Sequence, residues 1–200
     1  MTRIGILFYD GFDLIDAGGP YEVFLTASRL AVRDGAAATF EAVLISPDGS
    51  DVTAFGGLTL TNMTAPDKAG SLDVVVIPGT TDVTTTLADE AIGSAVAQLV
   101  GAAPLTTAVC TGAFLLAQQG VLDGVPATTH WEDIEDLRAA GVAEVVSGVR
   151  WVDAGDVVTS GGLTSGMHMA LHMVARLEGQ EMAERTAKQL DMDWSTNPER

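Results

Sequence analysis

Apolar positions in this chain fall into two patterns. Short apolar runs read as strands: Arg3–Tyr9, Phe40–Ser46, Asp73–Ile77 and the β-branched Leu105–Val109. Between them lie segments in which apolar residues recur at helical spacing. These predict helices from Pro20 to Arg33, Glu90 to Gly101, Ala113 to Gln119 and Glu132 to Ala140. Two more helices are expected near the end, one opened by Gly161–Gly166 and running through Leu177, the other over Gln180–Leu190. Pro20 suits the first turn of its helix. Val52–Leu60, broken by Gly56 and Gly57, reads as a small hairpin or side extension, and Gly148–Ser160, turning at Asp153–Asp156, as a hairpin. The run over Asp73–Ile77 is of the kind buried on both faces of a parallel sheet. Strands alternating with helices predict an α/β fold with a doubly wound, mainly parallel sheet and helices on both faces. The expected organisation is one domain over 1–190 and a polar tail over 191–200.

Cys110 is the only cysteine, and it sits where a strand feeds a helix. Ala108 and Gly112 flank it at two positions either side, the layout of a nucleophile elbow with sulfur in place of oxygen. A lone cysteine by itself reads as a small buried hydrophobe. The strand–Cys–Thr–Gly–helix setting points instead to a reactive thiol, with unpaired helix N–H groups favouring the thiolate. In a doubly wound sheet the site lies beyond the strand carboxyl ends. Asp16, Gly79, Thr80, Cys110 and His130 are expected to converge there from separate parts of the chain.

Composition narrows the classes. The chain has 200 residues, 47% hydrophobic, and a formal net charge of −17 from 27 acidic and 10 basic residues. That balance carries no basic nucleic-acid footprint and disfavours anionic substrates. No apolar run has the length of a membrane span. One cysteine excludes an internal disulfide, and with no signal-peptide pattern at the amino terminus the expected compartment is the reducing cytoplasm.

Cys110-Thr-Gly, Thr128-Thr-His-Trp131, Gly161-Gly-Leu-Thr-Ser-Gly166 and Asp16-Ala-Gly-Gly-Pro20 together resemble the ThiJ/PfpI superfamily, the class I glutamine amidotransferase-like group. The likeness is collinear from about Ile4 to Leu177 and is strongest to the isonitrile hydratase branch. It implies a flavodoxin-like fold, a homodimer, a cysteine nucleophile with a nearby acid, and no metal or organic cofactor. In that branch the acid follows the first strand, at Asp16 here, and threonine follows the cysteine, at Thr111. The implied substrate is a small isonitrile, with no nucleic acid and no membrane as partner. Glyoxalase-, amidase- and protease-like members share the superfamily. So do sensor domains of some AraC-type regulators, which leaves a redox- or ligand-sensing reading open.

Each site residue also has a plainer reading. Asp16 reads as the acid or as the cap of a helix starting near Pro20. Thr111 reads as offering its N–H or its hydroxyl to the sulfur, or as simply starting a helix. Gly79 and Thr80 are expected to donate N–H groups to developing charge, or to end a strand. The superfamily often has Pro-Gly-Gly there, so Thr80 alters the pocket if the turn needs positive φ. His130 and Trp131 are expected at the pocket edge, with aspartate rather than histidine as the acid. His168 and His172 lie four apart but lack the HExxH pattern, so packing is expected there, as for Met167, Met169 and Met173.

Overall fold

The computed structural model describes residues 1–199; Arg200, the last residue of the expected tail, lies outside the described residues. Six strands form one sheet in the order β2 (Phe40–Ile45), β1 (Thr2–Leu7), β5 (Val74–Ile77), β6 (Leu105–Val109), β8 (Val157–Ser160), β7 (Trp151–Asp153). All neighbours are parallel except β7 and β8, a hairpin at one edge. Residues of β5 and β6 are buried throughout, as central strands covered on both faces must be. A separate two-stranded hairpin joins β3 (Val52–Thr53) to β4 (Thr59–Leu60).

Helices α1 (Leu14–Arg33), α6 (Thr164–Glu178) and α7 (Gln180–Gln189) pack together on the sheet. A second group comprises α2 (Val83–Ala88), α3 (Glu90–Ala102) and α4 (Gly112–Gln118). This is the expected flavodoxin-like α/β architecture. A short 3₁₀ turn, Trp131–Asp133, leads into α5 (Ile134–Ala139).

Two expectations about α1 are corrected. The helix starts at Leu14, six residues before Pro20, and its cap is Asp13, whose side chain accepts the Ile15 N–H at 3.1 Å. Asp16 therefore lies in the first turn and caps nothing. Pro20 sits inside the helix and has no N–H to offer the Asp16 carbonyl. Gly19 is there for packing, since a Cβ on it would meet Met167 at 2.7 Å, whereas Gly18 faces open space. Helix α2 was not expected. Its Thr84-Thr85-Thr86 core is β-branched and a poor helix former, and the Asp82 cap starts it.

Candidate active site

The strand ends converge as the topology requires. Cys110 follows β6 with φ +59°, a left-handed conformation uncommon for a side chain other than glycine. Such a backbone costs of order 1–3 kcal/mol and persists only where its surroundings hold it. Here its N–H bonds Ser160 O at 3.1 Å, and Thr129 Oγ1 donates to its carbonyl at 2.8 Å. Gly112 completes the elbow, because a Cβ there would lie 2.3 Å from Ile77 O.

Asp16 has no solvent exposure and interacts with the Cys110 thiol. Its Oδ1 accepts the Leu163 N–H at 2.8 Å and its Oδ2 accepts the Gly79 N–H at 3.2 Å. Burial pushes its pKa to about 6, and the charge of Asp13 adds to the rise. The Leu163 and Gly79 N–H groups and the neighbouring Cys110 thiol pull the other way. The thiol is pushed up, first by burial and then by the Asp16 charge; the Thr111 N–H opposes this and loses. The sequence expectation of a stabilised thiolate is therefore corrected. Near neutral pH the pair holds one proton, on sulfur, above an ionised carboxylate.

Two other expectations change for geometric reasons. The N–H groups of Gly79 and Thr80 are not free to meet developing charge: Asp16 occupies the first, and the Thr111 hydroxyl accepts the second at 2.8 Å. Thr111 Oγ1 in turn donates to Thr80 O at 2.8 Å, so its hydroxyl latches the β6 elbow to the β5 loop instead of facing the sulfur. Neither Gly79 nor Thr80 has positive φ, so threonine is accommodated without strain. Glycine is needed at 79 for space alone, since a Cβ there would meet Thr111 Oγ1 at 2.6 Å and Asp16 Oδ2 at 2.8 Å.

A cavity of about 340 Å³ opens over Cys110. Thr80, Thr111, His130, Val83 and Leu163 line it, and three carboxylates, Asp13, Glu132 and Asp133, complete its wall. Among the described residues, no lysine or arginine lines it. His130 caps its own 3₁₀ turn rather than following a strand. Its Nδ1 accepts the Glu132 N–H and lies 3.4 Å from Asp133 Oδ2. Among the described residues it makes no hydrogen bond to Cys110. The imidazole edge and the sulfur flank Gly162, whose Cβ would lie 2.5 Å from His130 Cδ2 and 3.0 Å from Cys110 Sγ. Trp131 lies outside this cavity, 63% exposed, beside a neighbouring hollow with Arg150 and His168.

Sequence reasoning missed Leu163. It adopts φ +56° and ψ −117°, and this turns its N–H onto Asp16. Its apolar side chain gave no sign of that, and the preceding Gly161 and Gly162 do not take the positive φ. Asp13, which caps α1 and forms part of the cavity wall, was likewise not singled out in the sequence. His172 is tied to Asp153 at 2.6 Å. No group of three or more His, Cys, Asp or Glu side chains able to hold a metal occurs among the described residues.

Residues 2–176 match the sequence model of the DJ-1/PfpI family. The chain belongs to this family. It is 31% identical to an isonitrile hydratase of Pseudomonas putida over 189 residues, 94% of this chain and 78% of that protein. It is also 31% identical to the HTH-type transcriptional regulator GbdR of Pseudomonas aeruginosa over 90% of this chain, which spans about half (48%) of the regulator. Among solved structures, a ThiJ/PfpI family protein from Pseudomonas syringae superposes with a TM-score of 0.82 at 26% identity, over 96% of this chain and 75% of that one. Among the described residues no helix is long and apolar enough to cross a membrane.

Proposed function

We propose that this protein is a cysteine-dependent isonitrile hydratase, a lyase that converts an isonitrile and water to an N-substituted formamide. The observation that carries the reading is a fully buried carboxyl, Asp16, with its pKa raised to about 6 and set against the Cys110 thiol. An isonitrile needs a nucleophile and a proton at one and the same carbon, and this pair supplies both. The sulfur attacks the terminal carbon as its proton passes to Asp16. Asp16 then delivers that proton to the carbon, giving the thioimidate Cys110–S–CH=N–R. The regenerated carboxylate takes a proton from water as its oxygen adds to the thioimidate carbon, and returns it to nitrogen. Collapse expels the sulfur, which recovers its proton from the hydroxyl through Asp16 and leaves R–NH–CHO. The sequence needs no metal or organic cofactor.

The hydrogen-bonding of the β5 loop favours this over amidase or protease chemistry. Acyl transfer builds an oxyanion that needs free donors. Here the Gly79 and Thr80 N–H groups are already bound. Protonation of the isonitrile carbon by Asp16 makes no such demand. The similarity to regulators favours a second reading, a ligand- or redox-sensing domain. The hydratase reading carries with it a single domain over 1–190, a cytoplasmic homodimer, and no nucleic-acid or membrane partner.

The test is formamide formation from a panel of simple alkyl and aryl isonitriles, with Cys110→Ala alongside. Product from wild type and none from a folded Cys110→Ala establishes the reaction and the nucleophile. No product from folded wild type across the panel removes the hydratase reading in favour of sensing.

A further inference from the structure

Tyr9 is buried directly after β1 and has no part in the steps above. Its hydroxyl donates to the Pro78 carbonyl at 2.8 Å. That carbonyl belongs to the same peptide group as the Gly79 N–H, which donates to Asp16 Oδ2. One peptide plane is thus held at both ends, by the phenol at its oxygen and by the carboxylate at its hydrogen. We propose that Tyr9 is a positioning residue that sets the proton affinity of Asp16 through the Pro78–Gly79 peptide. This rests on the reading that Asp16 and Cys110 exchange a proton.

Two physical effects act together. A donor on the carbonyl polarises the peptide and strengthens its N–H as a donor, as in any chain of hydrogen bonds. It also fixes the plane, and the space around it is tight: a Gly112 Cβ would lie 2.9 Å from Pro78 O. The Tyr9 ring is itself set edge-on to Phe12, with centroids 6.4 Å apart. Burial, and then the charge of Asp16, hold the phenol well above its ordinary pKa, so it stays a neutral donor across the working pH range. The groups facing Asp16 are Asp13 on its own helix, Cys110 on the β6 elbow, and the N–H groups of Gly79 and Leu163. Of the two N–H donors, the Gly79 bond is the longer, at 3.2 against 2.8 Å, and the more dependent on support from behind.

Tyr9→Phe removes only the hydroxyl. It leaves Pro78 O without its partner, weakens the Gly79 donor and raises the Asp16 pKa. The readout is the pH dependence of Cys110 alkylation by iodoacetamide, which needs no isonitrile. The rate falls as Asp16 takes up its proton on the acid side. The expected result is an acid limb near 6 in wild type, moved up by roughly half a unit in Tyr9→Phe. A second variant covers a folding failure. In a Tyr21→Phe background, 3,5-difluorotyrosine at position 9 is a stronger donor and moves the limb down. Opposite shifts in the two proteins support the proposal. A limb that stays in place in either folded protein, even with a lowered Tm, makes Tyr9 merely structural and overturns it. If the limb moves while isonitriles are not turned over, the hydratase reading falls and the positioning role stands.

Discussion

Asp16 meets two opposing demands. Its chemistry needs a carboxyl that ionises near neutrality, and its burial makes that ionisation costly to the fold. Its pKa is raised from 3.8 to about 6, so the folded state binds this proton more tightly than the unfolded chain. The contribution to stability is therefore fully present below 3.8 and is lost as pH rises through 6, a change of about 3 kcal/mol. Asp16→Asn has no such titration. The unfolding free energy of wild type relative to Asp16→Asn should fall by about that amount between pH 3.5 and 7, measured by denaturant titration. A constant difference would mean that Asp16 is not perturbed. Cys110 shows the same economy in its backbone: the left-handed φ is tolerated because Ser160 and Thr129 hold both sides of its peptide.

At the scale of elements, strand ends place the chemistry and helices fasten it. The elbow between β6 and α4 was legible in the sequence because small residues flank the cysteine where a β-branched run becomes helical. The place of Asp16 after the first strand was legible through the family motif. The start of α1 was not, since Gly18, Gly19 and Pro20 are poor residues for a helix interior, and of the two glycines only Gly19 is explained by packing, against Met167. Nor could the ownership of each N–H be read: Gly79, Thr80 and Leu163 all spend theirs on side chains far away in sequence. The β7–β8 edge hairpin is fastened to α6 through Asp153. Burial works against that charge, but hydrogen bonds from His172 and the Gly155 N–H, with the charge of Arg176, outweigh it and keep the carboxyl below its ordinary value. Trp151 stacks on the same imidazole, with centroids 5.3 Å apart. Asp153→Ala should lower stability by about 1–2 kcal/mol, discounted for partial exposure, and lower Tm in a thermal melt. An unchanged Tm would show that the hairpin is held by its strand pairing alone.

At the scale of the whole molecule, charge selects what reaches the sulfur. The net charge of −17 is matched locally by Asp13, Glu132 and Asp133 on the cavity wall, with no lysine or arginine in the lining among the described residues. A carboxylate-bearing isonitrile should therefore show a kcat/KM roughly tenfold below that of a neutral isonitrile of similar size at low salt, the gap closing as ionic strength rises. Equal values at low salt would show that the wall carboxylates are neutralised or turned away. The central claim is that one buried proton, shared by Cys110 and Asp16, runs the reaction. Its most direct test is the pH profile of kcat/KM for formamide formation by wild type and Asp16→Asn. The account predicts a wild-type rate that falls on the acid side with a limb near 6, and an Asp16→Asn rate lower by about 10²-fold or more with no limb there. A wild-type profile flat through pH 6, or an Asp16→Asn rate equal to wild type, would contradict it.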